Sequence, residues 1–152
     1  MDPERLFSIA SNIALPGWLL LALLPRWRWS ARLIAPVIIP GVLAVLYGVL
    51  IFTGMRNSGS DFGAFNSLAG VKGLFAQDTV LLAGWIHYLV FDLFVGSWEV
   101  RDAQREDIPH WLILPCLFFT LMLGPIGLLL YLALRFAMRR QTGLDEGVAS
   151  VR

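Results

Sequence analysis

Four long apolar runs govern what this chain can fold into: Leu6–Leu24, Leu33–Thr53, Thr79–Trp98 and Leu112–Leu134, of 19, 21, 20 and 23 residues. Each is close to the ~20 residues that a helix needs to cross ~30 Å of hydrocarbon. Lipid offers no water to backbone N–H and C=O groups, so only helices and closed barrels span it. Runs this long without alternation read as helices. The sequence therefore predicts an all-α fold, a four-transmembrane-helix bundle in a single membrane domain over 1–152, with spans at about 6–24, 33–53, 79–98 and 112–134. Composition agrees: 57% of residues are hydrophobic and 15% charged, against about 25% charged in soluble domains. A soluble enzyme, a disulfide-stapled module and a disordered chain are excluded.

The remaining totals narrow the partners. A formal charge of +1 gives no basic excess, so the expected partner is the lipid bilayer and no nucleic acid. Cys116 is the only cysteine, which leaves no intrachain disulfide and no thiolate cluster. The first run is too long for a cleaved signal peptide and lacks a small-residue exit, so it is expected to remain as a span. Four crossings put both termini on one side and the Arg26–Arg32 turn and Glu99–Trp111 connector on the other. Seven Lys or Arg then fall on the terminal side and five on the connector side, three of them in one short turn. Orientation stays open on that count.

Between the second and third runs, Phe62, Phe65, Leu68, Val71 and Leu74 recur every three residues. That spacing predicts a short interfacial helix between helices two and three, over about 61–76, apolar side down. Residues 141–152 read as a flexible tail. Gly41, Ala44 and Gly48 form a small-residue ridge suited to ordinary helix packing. Trp27, Trp29, Trp98 and Trp111 gather at the connector end. They form either an interfacial belt or the rim of an entrance for a flat apolar ligand.

Chemistry concentrates in the third run. His87 lies near its midpoint and Asp92 roughly 7.5 Å further along the axis. An Asp at a helix centre costs ~2.5–3.5 kcal/mol on insertion scales, so neighbours must satisfy it. The two residues differ by about 140° around the axis and do not share a face. Tyr88 and Glu99 fall on Asp92's side, while His87 joins Phe91, Phe94 and Trp98. Asn12 is the other polar group at depth. These groups serve either function or hydrogen-bonded packing. The connector that follows holds six charges between Glu99 and His110. It is either a solvated helix end with an Asp102–Arg105 pair, or a polar floor on which Glu99, Asp102 and His110 meet a ligand.

Absences are informative too. No His-x-x-x-His or Glu-x-x-His spacing and only two histidines predict no metal. No phosphate-cradling glycine loop, nucleophile elbow or dinucleotide fingerprint is present, and no cofactor is expected. Lys72, in the long loop, is the only lysine, so none is available at mid-membrane for a retinal Schiff base.

The run His87-Tyr88-Leu89-Val90-Phe91-Asp92-Leu93-Phe94-Val95-Gly96, with Trp98-Glu99 and Arg101-Asp102-Ala103-Gln104-Arg105, is similar to the abscisic-acid-deficient (neoxanthin synthase-like) membrane family. Ile108-Pro109-His110-Trp111, Pro115-Cys116 and Gly124-Pro125-Ile126-Gly127 carry the same resemblance, which covers about residues 5–137. Plant members are plastid-membrane proteins required to make neoxanthin from violaxanthin, by opening an epoxide and creating an allene. The short start looks like a bacterial-type member, which implies a multi-pass protein of a bacterial inner membrane. The resemblance implies a carotenoid or other isoprenoid lipid as ligand and a cofactor-independent acid/base isomerisation. On that basis the catalytic candidates are His87 as base, Asp92 or Glu99 as general acid or stabiliser, and Tyr88 beside them. Binding candidates are Asn12, Trp98, Asp102, His110 and Trp111. The alternative is a non-catalytic membrane subunit that binds pigment or lipid, or helps assemble a larger complex or homo-oligomer.

Overall fold

The structure, a computed structural model, describes residues 2–59 and 62–139. Its elements are α1 (Pro3–Leu23), a π-helical segment (Ser30–Ile38) running into α2 (Ile39–Ser58), a 3₁₀ turn (Phe62–Asn66), α3 (Leu68–Phe75), α4 (Asp78–Arg105), α5 (His110–Leu123) and α6 (Pro125–Arg139). The fold is all-α. The tail expected over 141–152 lies outside the described residues.

α4 is the central post and packs against all five other α-helices and the π-helical segment. α1 runs parallel to it: Phe7 meets Trp85 with ring centroids 5.2 Å apart, and Gln104 near the other end bonds the Pro25 carbonyl. α2 runs antiparallel, with Gly54 against Val80 and Arg101 bonded to Ala31. Leu21, Leu43, Ile86, Leu93 and Ile113 make the sealed centre, while Leu19, Val45, Phe52 and Leu129 stand outward. So much exposed apolar surface belongs in lipid. The chain is a multi-pass integral membrane protein.

Among the described residues, three helical stretches are long and apolar enough to cross a bilayer: Pro3–Leu23, Ser30–Asn57 and Asp78–Arg105. The expected fourth span is absent. The run Leu112–Leu134 divides at Gly124 into two shorter helices of 14 and 15 residues, each about 21–23 Å long at 1.5 Å per residue. α5 starts beside the end of α1, where His110 contacts the Ala22 carbonyl. It descends along α4 until Thr120 meets Glu99, Leu121 meets Tyr88 and Gly124 meets Asp92. There the chain reverses. α6 climbs back, so that Tyr131 packs edge-on to Trp98 at 5.3 Å and Arg135 reaches Asp102 and Glu106. The pair is a re-entrant hairpin with both ends at the same end of α4.

Local chemistry forces that reversal. Gly124 has φ +47° and ψ −96°, a conformation that side chains with a Cβ rarely adopt. Pro125 has no N–H to continue the helix and pushes the residue before it out of helical geometry. Gly127 lets the two helices close backbone to backbone, since a Cβ there would collide with the Thr120 amide and hydroxyl.

The expected single interfacial helix over 61–76 is also corrected. The segment breaks into the 3₁₀ turn and the eight-residue α3, whose start is set by the Ser67 hydroxyl accepting from Gly70 N–H at 3.0 Å. The three-residue apolar spacing does not give one buried stripe: Leu74 is sealed in the bundle and Leu68 is 85% exposed. The Gly41–Gly48 ridge faces outward, with nothing within 4 Å of a Cβ built on either glycine.

Candidate functional site: a buried carboxylate ladder on α4

Helix breaks free carbonyls, and in this fold side chains of α4 and α5 find them. The Leu121 carbonyl would accept from residue 125, a proline, and the Tyr88 hydroxyl donates to it instead at 2.9 Å. The Ala31 carbonyl, in the π-helical pattern, would accept from Pro36, and Arg101 Nη1 donates to it at 2.6 Å. Past the end of α1, Gln104 Nε2 donates to the Pro25 carbonyl at 2.6 Å, and in its last turn the Ala22 carbonyl lies 2.9 Å from His110 Nε2. Each of these satisfies a backbone group that lipid cannot.

Higher on α4 the charges form a closed network. Asp102 is fully buried and accepts from the Tyr131 hydroxyl at 2.6 Å, Arg135 Nε at 2.8 Å and Arg105 Nη2 at 2.6 Å. Arg135, 2% exposed, also donates Nη2 to Glu106 at 3.1 Å. Tyr131 and Arg135, four apart on α6, share one face and clasp one carboxylate.

Two carboxylates below this network are incompletely held. Glu99 is fully buried; its Oε1 accepts from the Thr120 hydroxyl at 2.9 Å, and its Oε2 has no hydrogen-bond partner. Asp92 Oδ2 is likewise buried without a partner. Asp92 sits against Gly124, where a Cβ would come within 2.9 Å of Oδ1. It thereby lies beside the start of α6, the positive end of that helix's dipole. The Tyr88 phenol is within interaction distance of the same carboxylate. Tyr88, Asp92, Glu99 and Asp102 thus form a ladder on one side of α4, with α5 and α6 closing over Asp92, Glu99 and Asp102.

Two cavities flank the ladder. One, of about 840 Å³, is bounded by the start of α1, α3 and the lower half of α4; Phe7, Phe75, Leu81 and Trp85 give it apolar walls, Tyr88 lies at its inner end, and Asp2, Glu4 and Asp78 stand at its rim. The other, of about 520 Å³, lies at the connector end among Arg32, Trp98, Arg101, Asp102, Gln104 and Arg105.

The remaining sequence candidates fall elsewhere. His87 is exposed on another face of α4, its ring tilted against Phe91 with centroids 4.5 Å apart and near Tyr47 at 6.0 Å. Asn12 is exposed, and Trp111 is 68% exposed at the interface. His110 serves the Ala22 carbonyl, and Trp98 lines the connector-end cavity. Thr120, Tyr131 and Arg135 join the ladder without having been anticipated. A Tyr-x-x-x-Arg pair at the end of an apolar run, after a Gly-Pro break, was the available signal. Among the described residues no group of three or more His, Cys, Asp or Glu is placed to hold a metal ion.

A family model described as ABA DEFICIENT 4-like matches residues 5–131. The chain belongs to the ABA DEFICIENT 4-like family. The matched stretch of this ABA DEFICIENT 4-like chain contains Tyr88, Asp92, Glu99, Asp102, Thr120, Tyr131 and the α5–α6 reversal; Arg135 lies just beyond it. The chain is similar to Protein ABA DEFICIENT 4, chloroplastic, of Arabidopsis thaliana: 23% identical over 145 residues, covering 91% of this chain and 64% of the relative. It thus spans somewhat less than two thirds of that relative's length. No solved structure matches it.

Proposed function

We propose that this ABA DEFICIENT 4-like protein binds an isoprenoid lipid, a carotenoid in the first instance, with the apolar chain in the cleft beside α1 and α3 and a polar end group turned toward Asp92 and Glu99. The observation that carries the reading is the pair of buried carboxylate oxygens without partners. The same fold supplies donors to the carbonyls of Leu121, Ala31, Pro25 and Ala22, while two carboxylate oxygens in its centre stay open to a donor from outside the chain, as Trp18 Nε1 and Ser30 Oγ stay open elsewhere. A hydroxyl on an otherwise apolar molecule has that chemistry. The cleft's size and apolar walls suit such a guest, and Tyr88 stands one helical turn before Asp92.

An acid/base reading of the same site is favoured by one contact, the Tyr88 phenol beside Asp92. Opening an epoxide to an allene moves protons without net oxidation: one group protonates the oxygen as its C–O bond breaks, and another removes a proton from carbon. Tyr88 is the donor in this scheme, Asp92 the acceptor, and Glu99 holds the end group. His87, on the lipid-facing side, takes no part. The non-catalytic reading needs only the cleft and the open acceptors.

The test is mass spectrometry of pigments and lipids retained by protein purified from carotenoid-producing membranes. The wild type and His87→Ala are expected to retain the same isoprenoid, and Asp92→Asn and Glu99→Gln to retain at least several-fold less. Equal retention by all four proteins refutes binding at the ladder. A changed cellular pigment profile that requires Tyr88 and Asp92 selects the acid/base reading; an unchanged profile with normal retention selects the binding role.

A further inference from the structure

We propose that the connector-end cavity is a phosphate-binding site at the membrane surface, suited to the headgroup of an anionic phospholipid. It is separate from the apolar cleft: Tyr88 lines the cleft, whereas Arg32, Arg101, Arg105, Gln104, Trp98 and Asp102 line this second cavity of about 520 Å³. Three guanidiniums from two elements, the π-helical segment and α4, converge on it. The single carboxylate among its walls, Asp102, is already clasped by Arg135 and Tyr131 from behind. The lining itself sets three guanidiniums, those of Arg32, Arg101 and Arg105, against that one carboxylate. The cavity is cationic.

Position selects the ligand's chemistry. The site lies at the end of the bundle where Trp27, Trp29 and Trp111 are exposed, the level at which indole rings mark the boundary between hydrocarbon and headgroups. Guanidinium forks recognise phosphate oxygens bidentately. The Gln104 amide, held to the Pro25 carbonyl by Nε2, stands beside them. The Arg101 bond to Ala31 fixes one fork at the rim of the π-helical segment, and the Arg105 bond to Asp102 fixes another. Both are therefore pre-oriented when a phosphate arrives. Pockets of arginines between helices at headgroup depth are where phospholipid phosphates bind.

Arg32 is the residue to vary, because it is exposed and both other arginines anchor the fold. Wild type, Arg32→Gln and Arg32→Lys are placed in nanodiscs or mixed micelles of phosphatidylglycerol or phosphatidylcholine, and lipid retained after delipidation is measured by native mass spectrometry. A parallel arm adds inorganic phosphate or glycerol 1-phosphate. Phosphatidylglycerol is expected to be retained preferentially, with about a fivefold loss in Arg32→Gln, the size of one cationic contact at a membrane surface. Arg32→Lys is expected to recover most of it. If the soluble phosphates bind in an Arg32-dependent way and lipid preference is absent, the phosphate comes from solution. Equal retention of both lipids together with no Arg32-dependent binding of either soluble anion overturns the site.

Discussion

Single residues separate the closed part of the ladder from its open part. Arg135 neutralises a buried carboxylate, so Arg135→Ala leaves Asp102 short of a counter-charge. The expected cost is about 3–5 kcal/mol, read as a large fall in melting temperature in detergent. Arg105 also bonds Asp102, but its side chain is 42% exposed, and Arg105→Ala is expected to cost no more than about 1 kcal/mol. A reversed order would mean that the network is held from the solvent side. Asp92→Asn and Glu99→Gln behave differently, because the oxygens concerned make no bond within the protein. Both are expected to fold with near-normal melting temperatures while losing ligand. If either variant unfolds, its carboxylate is a packing element.

The α5–α6 hairpin is the element that makes the site. Gly127→Ala forces a methyl group into the Thr120 amide and hydroxyl; overpacking of this kind costs about 1–3 kcal/mol. Thr120 is also the donor to Glu99, so the same variant is expected to lower both stability and ligand retention, whereas Gly41→Ala, with open space around it, changes neither. Thermal melts and retention on the three proteins check this. The first three spans were legible in the sequence because apolar runs of span length leave few structural options. The reversal was not: hydropathy counts apolar residues without regard to chain direction, and Leu112–Leu134 reads as one span although Gly124-Pro125 lies at its middle. The shared side of Tyr88, Asp92 and Glu99 followed from helical periodicity alone. Their partners Thr120, Tyr131 and Arg135 did not, because a straight fourth helix carries Arg135 to the far end of the bundle.

For the whole molecule, three crossings and a re-entrant hairpin redistribute charge. Arg26, Arg28, Arg32, Arg101, Arg105, Arg135 and Arg139 belong to the connector end, and Arg5, Arg56 and Lys72 to the other. Among the described residues seven cations stand against three, so the connector end is expected to lie on the cation-retaining side of the membrane. The ladder's position follows from the same topology, since only a returning α6 brings Arg135 to Asp102 and sets the start of α6 beside Asp92. The most direct test is protease protection of tags fused to the two chain ends, in sealed membrane vesicles of known orientation. The hairpin predicts that the tags report opposite sides, the C-terminal one sharing its side with a cysteine label placed at Arg28. Both tags on one side would establish a fourth crossing and dismantle the site described here.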